Sequence, residues 1–591
     1  MTLSDCIPQV DLEPLVQGLH DELGFLVTAH TPVQRAVGRL LNRMWERLQD
    51  LSYASKGDYV RERLGMSLRE AQELAWLERT IVHYPTTEAH WMSGELKRCQ
   101  VRLILRGAPP EDDVLWSCLA RCMTVRELEL KLRQPEDSPV EYREFELTAE
   151  DRNRLEEALE LTNRLCQENL SPADAMECIS AELQAGAPHD VYDQAMDEDD
   201  RPEREWKRER ARRRADREAT PWKRPDAPVS PPAFVPDFHV LPDADTLTID
   251  RVLHQACLFL QELDAMLVRK LWKAEQLEVY RHRGFASHVR YCVEELQLSA
   301  SRVHSLRRLH RLDLQVLEAY ATGVLSQSQA ELVGEVVTTP TAHDWIAYAS
   351  QTTVRKLRKV VRDARALRET DPLEYRNVLP PTPSTHTSPE GQALLEQALA
   401  CMPGTALPAC ALSTPELTLP ACAPPFPRVP DDPKPVAFTR SGRVRIGLPT
   451  DVWDAVGLSL RMARINLGGQ ATQGDCLSFM IDAFLEQYED DAREAARKNP
   501  VADRDQWRCA VPGCTRRGTV EVHHIIFKSH GGTNDKKNLV LVCAFHHHHC
   551  IHEGRIVAQG IAPNGIVWVV LGPDGLPNRV FLGDTLIAQR E

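Results

Sequence analysis

Four residues near the C-terminal end combine metal-binding chemistry with metal-binding spacing. Cys509 and Cys514 flank a Pro-Gly turn, and Cys543 and His546 form a C-x2-H pair separated from Cys514 by 28 residues. Two soft pairs spaced this way can converge on one tetrahedral zinc, as in a structural site with no open position. In so short a module the metal takes the place of an extensive apolar core. His548 and Cys550 remain alternatives to His546 as the fourth ligand. The adjacent histidines His523 and His524 require a different explanation. On a strand, neighbouring side chains face opposite sides, so one imidazole can hold a metal while the other faces a substrate. Gly531 and Gly532 permit unusual loop dihedrals, and Asn538 opens the apolar run 539–542 that leads to Cys543.

These residues belong to a module unlike the rest of the chain. Residues 497–555 hold ten Lys and Arg against five Asp and Glu, with eight of the 21 histidines, whereas the whole chain carries a formal charge of −15. A small basic module therefore sits on an acidic carrier, which excludes a chain that coats nucleic acid along its whole length. Hydrophobic and charged contents of 42% and 27% are ordinary for a globular chain. No apolar run approaches the roughly 20 residues of a membrane span, and the first residues lack the basic and apolar regions of a secretory signal. The cytoplasm is the expected compartment. The sixteen cysteines then read as thiols or metal ligands and not as a disulfide framework.

A length of 591 residues predicts several domains. A mixed-charge run at 197–224 and a stretch at 372–435 with 15 of the 40 prolines read as linkers. The first contains a candidate exposed helix at 204–217 and a candidate basic arm at Arg208, Arg210, Arg212, Arg213 and Arg214. A short helix at 391–400 is expected to interrupt the second. The segments before the linkers repeat one another: YVRERLGMS at 59–67 aligns with YCVEELQLS at 291–299. Gly94, Gln100, Trp116, Ala120 and Thr124 then match Gly323, Gln329, Trp345, Ala349 and Thr353 at one constant offset. Apolar residues at helical spacing make both copies helical, with Thr124 and Thr353 as N-caps. They suit either a scaffold or a DNA contact. Between the second linker and the basic module, Val444, Ile446 and Leu448 alternate as a strand would. A helix capped by Thr450 or Asp451 follows, then a second at about 473–488. This order resembles that of ribbon-helix-helix DNA readers, and it also makes a plain packing module.

The expected fold is mainly α in the N-terminal two-thirds, as two related helical domains, with a small C-terminal α+β domain stabilised by zinc. The expected boundaries are a first helical copy at 1–185, a linker at 186–242, a second copy at 243–370 and a linker at 371–436. A strand-helix-helix module at 437–495 precedes the metal module at 496–591, which ends in a hairpin with an Asn564-Gly565 turn.

The ordered set Cys509-x4-Cys514, His523-His524, Gly531-Gly532, Asn538-Leu539-Val540, Cys543-x2-His546-His547 and Ile551-His552 resembles the motif of the HNH endonuclease family over 50–80 residues. More loosely, the helical copies resemble the helical leader of unknown function that precedes such modules in many bacterial proteins. The resemblance implies a ββα-metal fold and a metal-dependent hydrolysis of phosphodiester bonds in DNA, with RNA the lesser candidate. It makes His524 the general base, which takes a proton from the attacking water, and Asn538 the residue that orients it. His523 and His547 would hold one divalent cation, with His552 as a third ligand or as a partner of one. Mg²⁺ is expected from cellular availability, and imidazoles also suit Mn²⁺ or Ni²⁺. Cys509, Cys514, Cys543 and His546 would hold the structural Zn²⁺. Arg516, Arg517, Lys528, Lys536 and Lys537 are the expected phosphate contacts, with His548 and His549 exposed or touching phosphate. A homodimer through the helical copies would allow both strands to be cut. Two other readings stand beside this one: a non-catalytic zinc-stabilised nucleic-acid-binding protein, and a nuclease toxin.

Overall fold

A computed structural model describes residues 13–123, 125–132, 140–197, 236–370, 378–382, 386–402 and 442–590. The basic arm, the helix expected at 204–217, the Thr124 cap and most of the proline-rich stretch lie outside the described residues. The chain forms two units. One comprises Met1–Ser138, Asp199–Ala364 and Arg376–Thr382, and the other Pro139–Glu198, Arg365–Tyr375 and Pro383–Glu591. The stretch 1–185 is thus divided between them. Among the described residues, no helix is long and apolar enough to cross a membrane.

Among its described residues the first unit is largely helical, and it is built twice over. Long helices Glu13–Met44 and Thr246–Gln276 pack along one another and anchor a shared apolar core. Matching residues do matching work in the two copies. Ser67 and Ser299 cap helices Leu68–Thr80 and Ala300–His310, each accepting a backbone N–H at 3.1 Å. The Gln100 amide donates to the Ala120 carbonyl at 2.7 Å, and that of Gln329 to Ala349 at 2.6 Å. Gly94 and Gly323 take φ of 78° and 75°, where a side chain would be strained. The copies also clasp each other reciprocally. Tyr59 donates to Asp250 on the second long helix at 2.9 Å, and Tyr291 meets His20 on the first at 2.9 Å.

The second unit contains a pairing that the sequence did not disclose. Strand β1, Val140–Leu147, lies in a stretch expected to be helical. It pairs antiparallel with β2, Gly442–Pro449, some 300 residues away. Each strand is followed by two helices: Ala149–Leu165 and Pro172–Gly186 after β1, Thr450–Asn466 and Gln473–Lys498 after β2. The first helix of each set packs on the second helix of the other, so two strand-helix-helix units share one core. Phe145, Leu147 and Leu448 point inward onto Trp453, Met480 and Ile481, while Tyr142, Glu144, Glu146, Arg443 and Arg445 face out. The helix after β2 begins at Thr450 itself, with Pro449 in the cap position and no side-chain cap bond.

The metal module follows. A two-stranded hairpin, β3 (Val520–His524) and β4 (Leu539–Cys543), precedes a meander of β5 (Ile556–Ile561), β6 (Gly565–Leu571), β7 (Pro577–Leu582) and β8 (Thr585–Gln589). The helix in the proline-rich stretch, Pro389–Ala400, is not an isolated interruption. Ala398, with Met402 just beyond it, packs on Val567, Val569, Val580 and Leu582 of the meander.

Candidate metal and nuclease site

The hairpin sets His523 opposite Val540 and His524 opposite Leu539. The connecting loop is held from within. Asn538 accepts the Ile526 N–H at 2.7 Å and donates to the carbonyls of Ile526 at 3.1 Å and Thr533 at 2.9 Å. Gly532 sits so close that an added Cβ would lie 1.8 Å from the Ile526 carbonyl oxygen, so no side chain fits there.

Beneath the hairpin, a knuckle carrying Cys509 and Cys514 is fastened to β4 by Ala510 N–H donating to the Leu541 carbonyl at 2.8 Å. This brings together Cys509, Cys514, Cys543 and His546, all buried, with ligand atoms within 4.8 Å of one another. The His546 Nδ1 lies 3.3 Å from Cys509 Sγ and 3.4 Å from Cys543 Sγ. Hydrogen bonding to Cys509 and Cys514 holds the Cys543 thiol far below its usual pKa. Burial lowers the His546 pKa, but Cys509 and Cys543 outweigh it and raise the ring well above its ordinary value. Three sulfurs and one imidazole converging on a point are the soft donor set that a zinc ion satisfies, and the set fits a tetrahedral site. His548 is exposed and turned to Glu521, 3.1 Å away, so it is not part of this cluster.

The segment Phe545–Ile551 winds as a π-helix. That register decides which imidazoles meet. In an α-helix, residues five apart diverge by about 140°, but here His552 N–H bonds the His547 carbonyl at 3.1 Å and the two side chains lie on one side. Their Nε2 atoms are 3.2 Å apart. Together with His523 they form a second group whose ligand atoms lie within 4.8 Å of one another. Consecutive residues His546 and His547 thus belong to different clusters. Burial pushes the His523 pKa down to about 4, with His547, His552 and His524 adding to the effect. Its ring is therefore neutral near pH 7, as a metal ligand must be.

His524 faces away from this trio, with Nε2 2.9 Å from Asn534 Oδ1. An amide oxygen only accepts, so in the neutral ring this contact places the hydrogen on Nε2 and leaves Nδ1 as the acceptor.

Residues 509–553 match the HNH endonuclease family model. No curated protein and no solved structure matches the chain. The C-terminal module is thus an HNH domain with a cysteine–histidine cluster suited to zinc, attached to a largely helical chain.

Around the HNH site, Arg516, Lys528, Lys536 and Lys537 are exposed, with the Arg516 guanidinium 5.8 Å from the centroid of the Phe545 ring. Arg517 is not available to phosphate. It is 5% exposed, forms an ion pair with Glu160 and donates to the Gln506 carbonyl at 2.8 Å. Adjacent arginines alternate between solvent and interior, and the residue that buries Arg517 comes from a distant segment. Glu521 was absent from the expected site. It bonds His547 through Nδ1 and also faces His548, contacts that lower its pKa. Its signal was present in the sequence: two residues before His523 on a strand, it shares that residue's face.

Proposed function

We propose that the protein is a metal-dependent endonuclease that hydrolyses phosphodiester bonds in DNA through its HNH module. The observation that carries this reading is the convergence of His523, His547 and His552, with His524 one residue along the same strand but on its other face. His523, His547 and His552 would hold a divalent cation, with Glu521 fixing the orientation of His547 by accepting its Nδ1 hydrogen. A cation held there would supply stabilisation of the negative charge that develops as the phosphodiester is cleaved. His524 takes a proton from water, the water oxygen forms a bond to phosphorus, and the bond to the 3′ oxygen breaks. Asn538 keeps the loop shut, so the imidazole is already oriented when substrate arrives. Cys509, Cys514, Cys543 and His546 would hold the zinc that supports the hairpin. Arg516, Lys528, Lys536 and Lys537 would position the phosphate backbone without reading sequence.

The test is cleavage of supercoiled plasmid, single-stranded DNA and RNA by wild type and His524→Ala in Mg²⁺, Mn²⁺ or EDTA, with zinc measured on both proteins. The expected result is metal-dependent nicking that disappears in the variant while zinc is retained. Zinc-loaded wild type that binds these nucleic acids and cleaves none would instead establish a non-catalytic binding protein.

A further inference from the structure

The helical unit encloses a cleft of about 420 Å³ that the HNH chemistry does not use. Its walls come from both copies of the repeat, at corresponding positions. Ser67 faces it with its counterpart Ser299, Glu70 with Arg302, and Arg98 with Gln327. The cleft therefore straddles the internal duplication, at positions where the two copies have diverged in charge.

Two features make it attractive to anions. Helices Leu68–Thr80, Arg98–Gly107, Ala300–His310 and Gln327–Gly334 all begin at its wall, and helix N-termini carry partial positive charge. The wall also holds more cations than carboxylates. Arg98 and Arg102 are matched by Glu73 at 2.8 and 3.4 Å, Arg308 by Glu331 at 3.5 Å, and Arg302 by the buried Asp264. Lys97 and Arg69 remain. The Lys97 amine meets only the Thr28 hydroxyl, at 3.0 Å, and among the described residues no carboxylate contacts it. Burial pushes its pKa down to about 8. Desolvation and the helix terminus both oppose a charge on this amine, so packing gives no reason for a lysine there. An anion in the cleft would relieve both.

We propose that this cleft binds a phosphate-bearing ligand of nucleotide size, its phosphates held by Lys97 and the surrounding helix N-termini. The volume lies within the range of small-molecule sites, and Val27, Leu267 and Leu298 supply apolar wall for the rest of the ligand. Such a phosphate could belong to a free nucleotide or to the 5′ end of a cut DNA strand, and the chemistry of recognition is the same. The site is separate from the HNH residues and does not depend on their activity.

The experiment is calorimetric titration of the full chain, without divalent metal, with inorganic pyrophosphate, ATP and a 5′-phosphorylated dinucleotide. Sulfate serves as the control anion, and Lys97→Met and Arg69→Ala are measured alongside. At least one phosphate probe should bind, and Lys97→Met should weaken it tenfold or more. Because that substitution replaces a desolvated amine with an apolar chain of similar length, the melting temperature without ligand should hold or rise. This separates lost affinity from lost folding. Preference for ATP and pyrophosphate would identify a free nucleotide, and preference for the dinucleotide a DNA end. No binding of any probe at millimolar concentration, equal affinity in Lys97→Met, or equal affinity for sulfate would overturn the proposal.

Discussion

Replacing Asn538 with alanine tests whether loop geometry, and not only the imidazoles, sets the nuclease rate. Asn538 makes three hydrogen bonds to backbone, two at Ile526 and one at Thr533. Each is worth about 0.5–1.5 kcal/mol net. Ile526 is 38% exposed, so water can recover part of the loss. The lower half of the summed range applies, about 2 kcal/mol for closing the loop. His524 hangs at the end of β3, beside this loop, and takes its Asn534 contact from within it. A base displaced by an ångström slows a reaction by about 10²-fold. Asn538→Ala should therefore lower single-turnover cleavage at saturating DNA by about two orders of magnitude, with bound zinc unchanged. Asn538→Asp keeps the acceptor for the Ile526 N–H, loses both donors, and should fall between. Zinc content and urea denaturation would be read on the same samples. Cleavage by zinc-loaded Asn538→Ala within about threefold of wild type would refute the argument that the loop preorganises the base.

Arg517→Ala should lower the melting temperature and leave the salt dependence of DNA binding unchanged, because its guanidinium faces Glu160 and not solvent. Arg516→Ala, on the exposed side, should do the reverse and reduce the salt slope by about 1. Asp264, held at about 2 by Arg302 and His30 against its burial, should contribute about 2–3 kcal/mol to the helical unit. Because its folded pKa is depressed, that stability is complete above the unfolded value of about 3.9 and is lost as pH falls towards 2. Urea denaturation of wild type and Asp264→Asn at pH 7 and pH 3 should show a gap that narrows in acid, and a constant gap would contradict the assignment. A fragment of residues 437–591 should fail to fold in its strand-helix-helix part, since β2 and Trp453 lose β1 and Phe145. Co-expression with residues 139–198 should restore near-ultraviolet dichroism; a native-like signal from the fragment alone would show that the pairing is dispensable.

The sequence by itself determined the local and repeated features. Cys509, Cys514, Cys543 and His546 could be read because a tetrahedral metal demands two close pairs, whatever the intervening chain does. The helical duplication was legible because identical folds impose identical requirements at Gly94 and Gly323 or Gln100 and Gln329. The His523–His524 pair stood out because a two-residue period puts adjacent side chains on opposite faces, whereas the role of Asn538 came from the resemblance to the HNH motif.

Tertiary structure decided what depends on distant partners. β1 holds Glu141 and Arg143 on its inner face beside Phe145 and Leu147, so it shows no clean apolar alternation until β2 and the Trp453 ring cover it. Arg517 has the look of a phosphate contact, but Glu160, over 350 residues earlier in sequence, gives its buried guanidinium a counter-charge. The run 546–549 does not say which imidazole serves which centre, because α and π windings place the same residues on different sides. The Phe545–Ile551 segment packs on β4 and β5, and its π register brings His547 and His552 together.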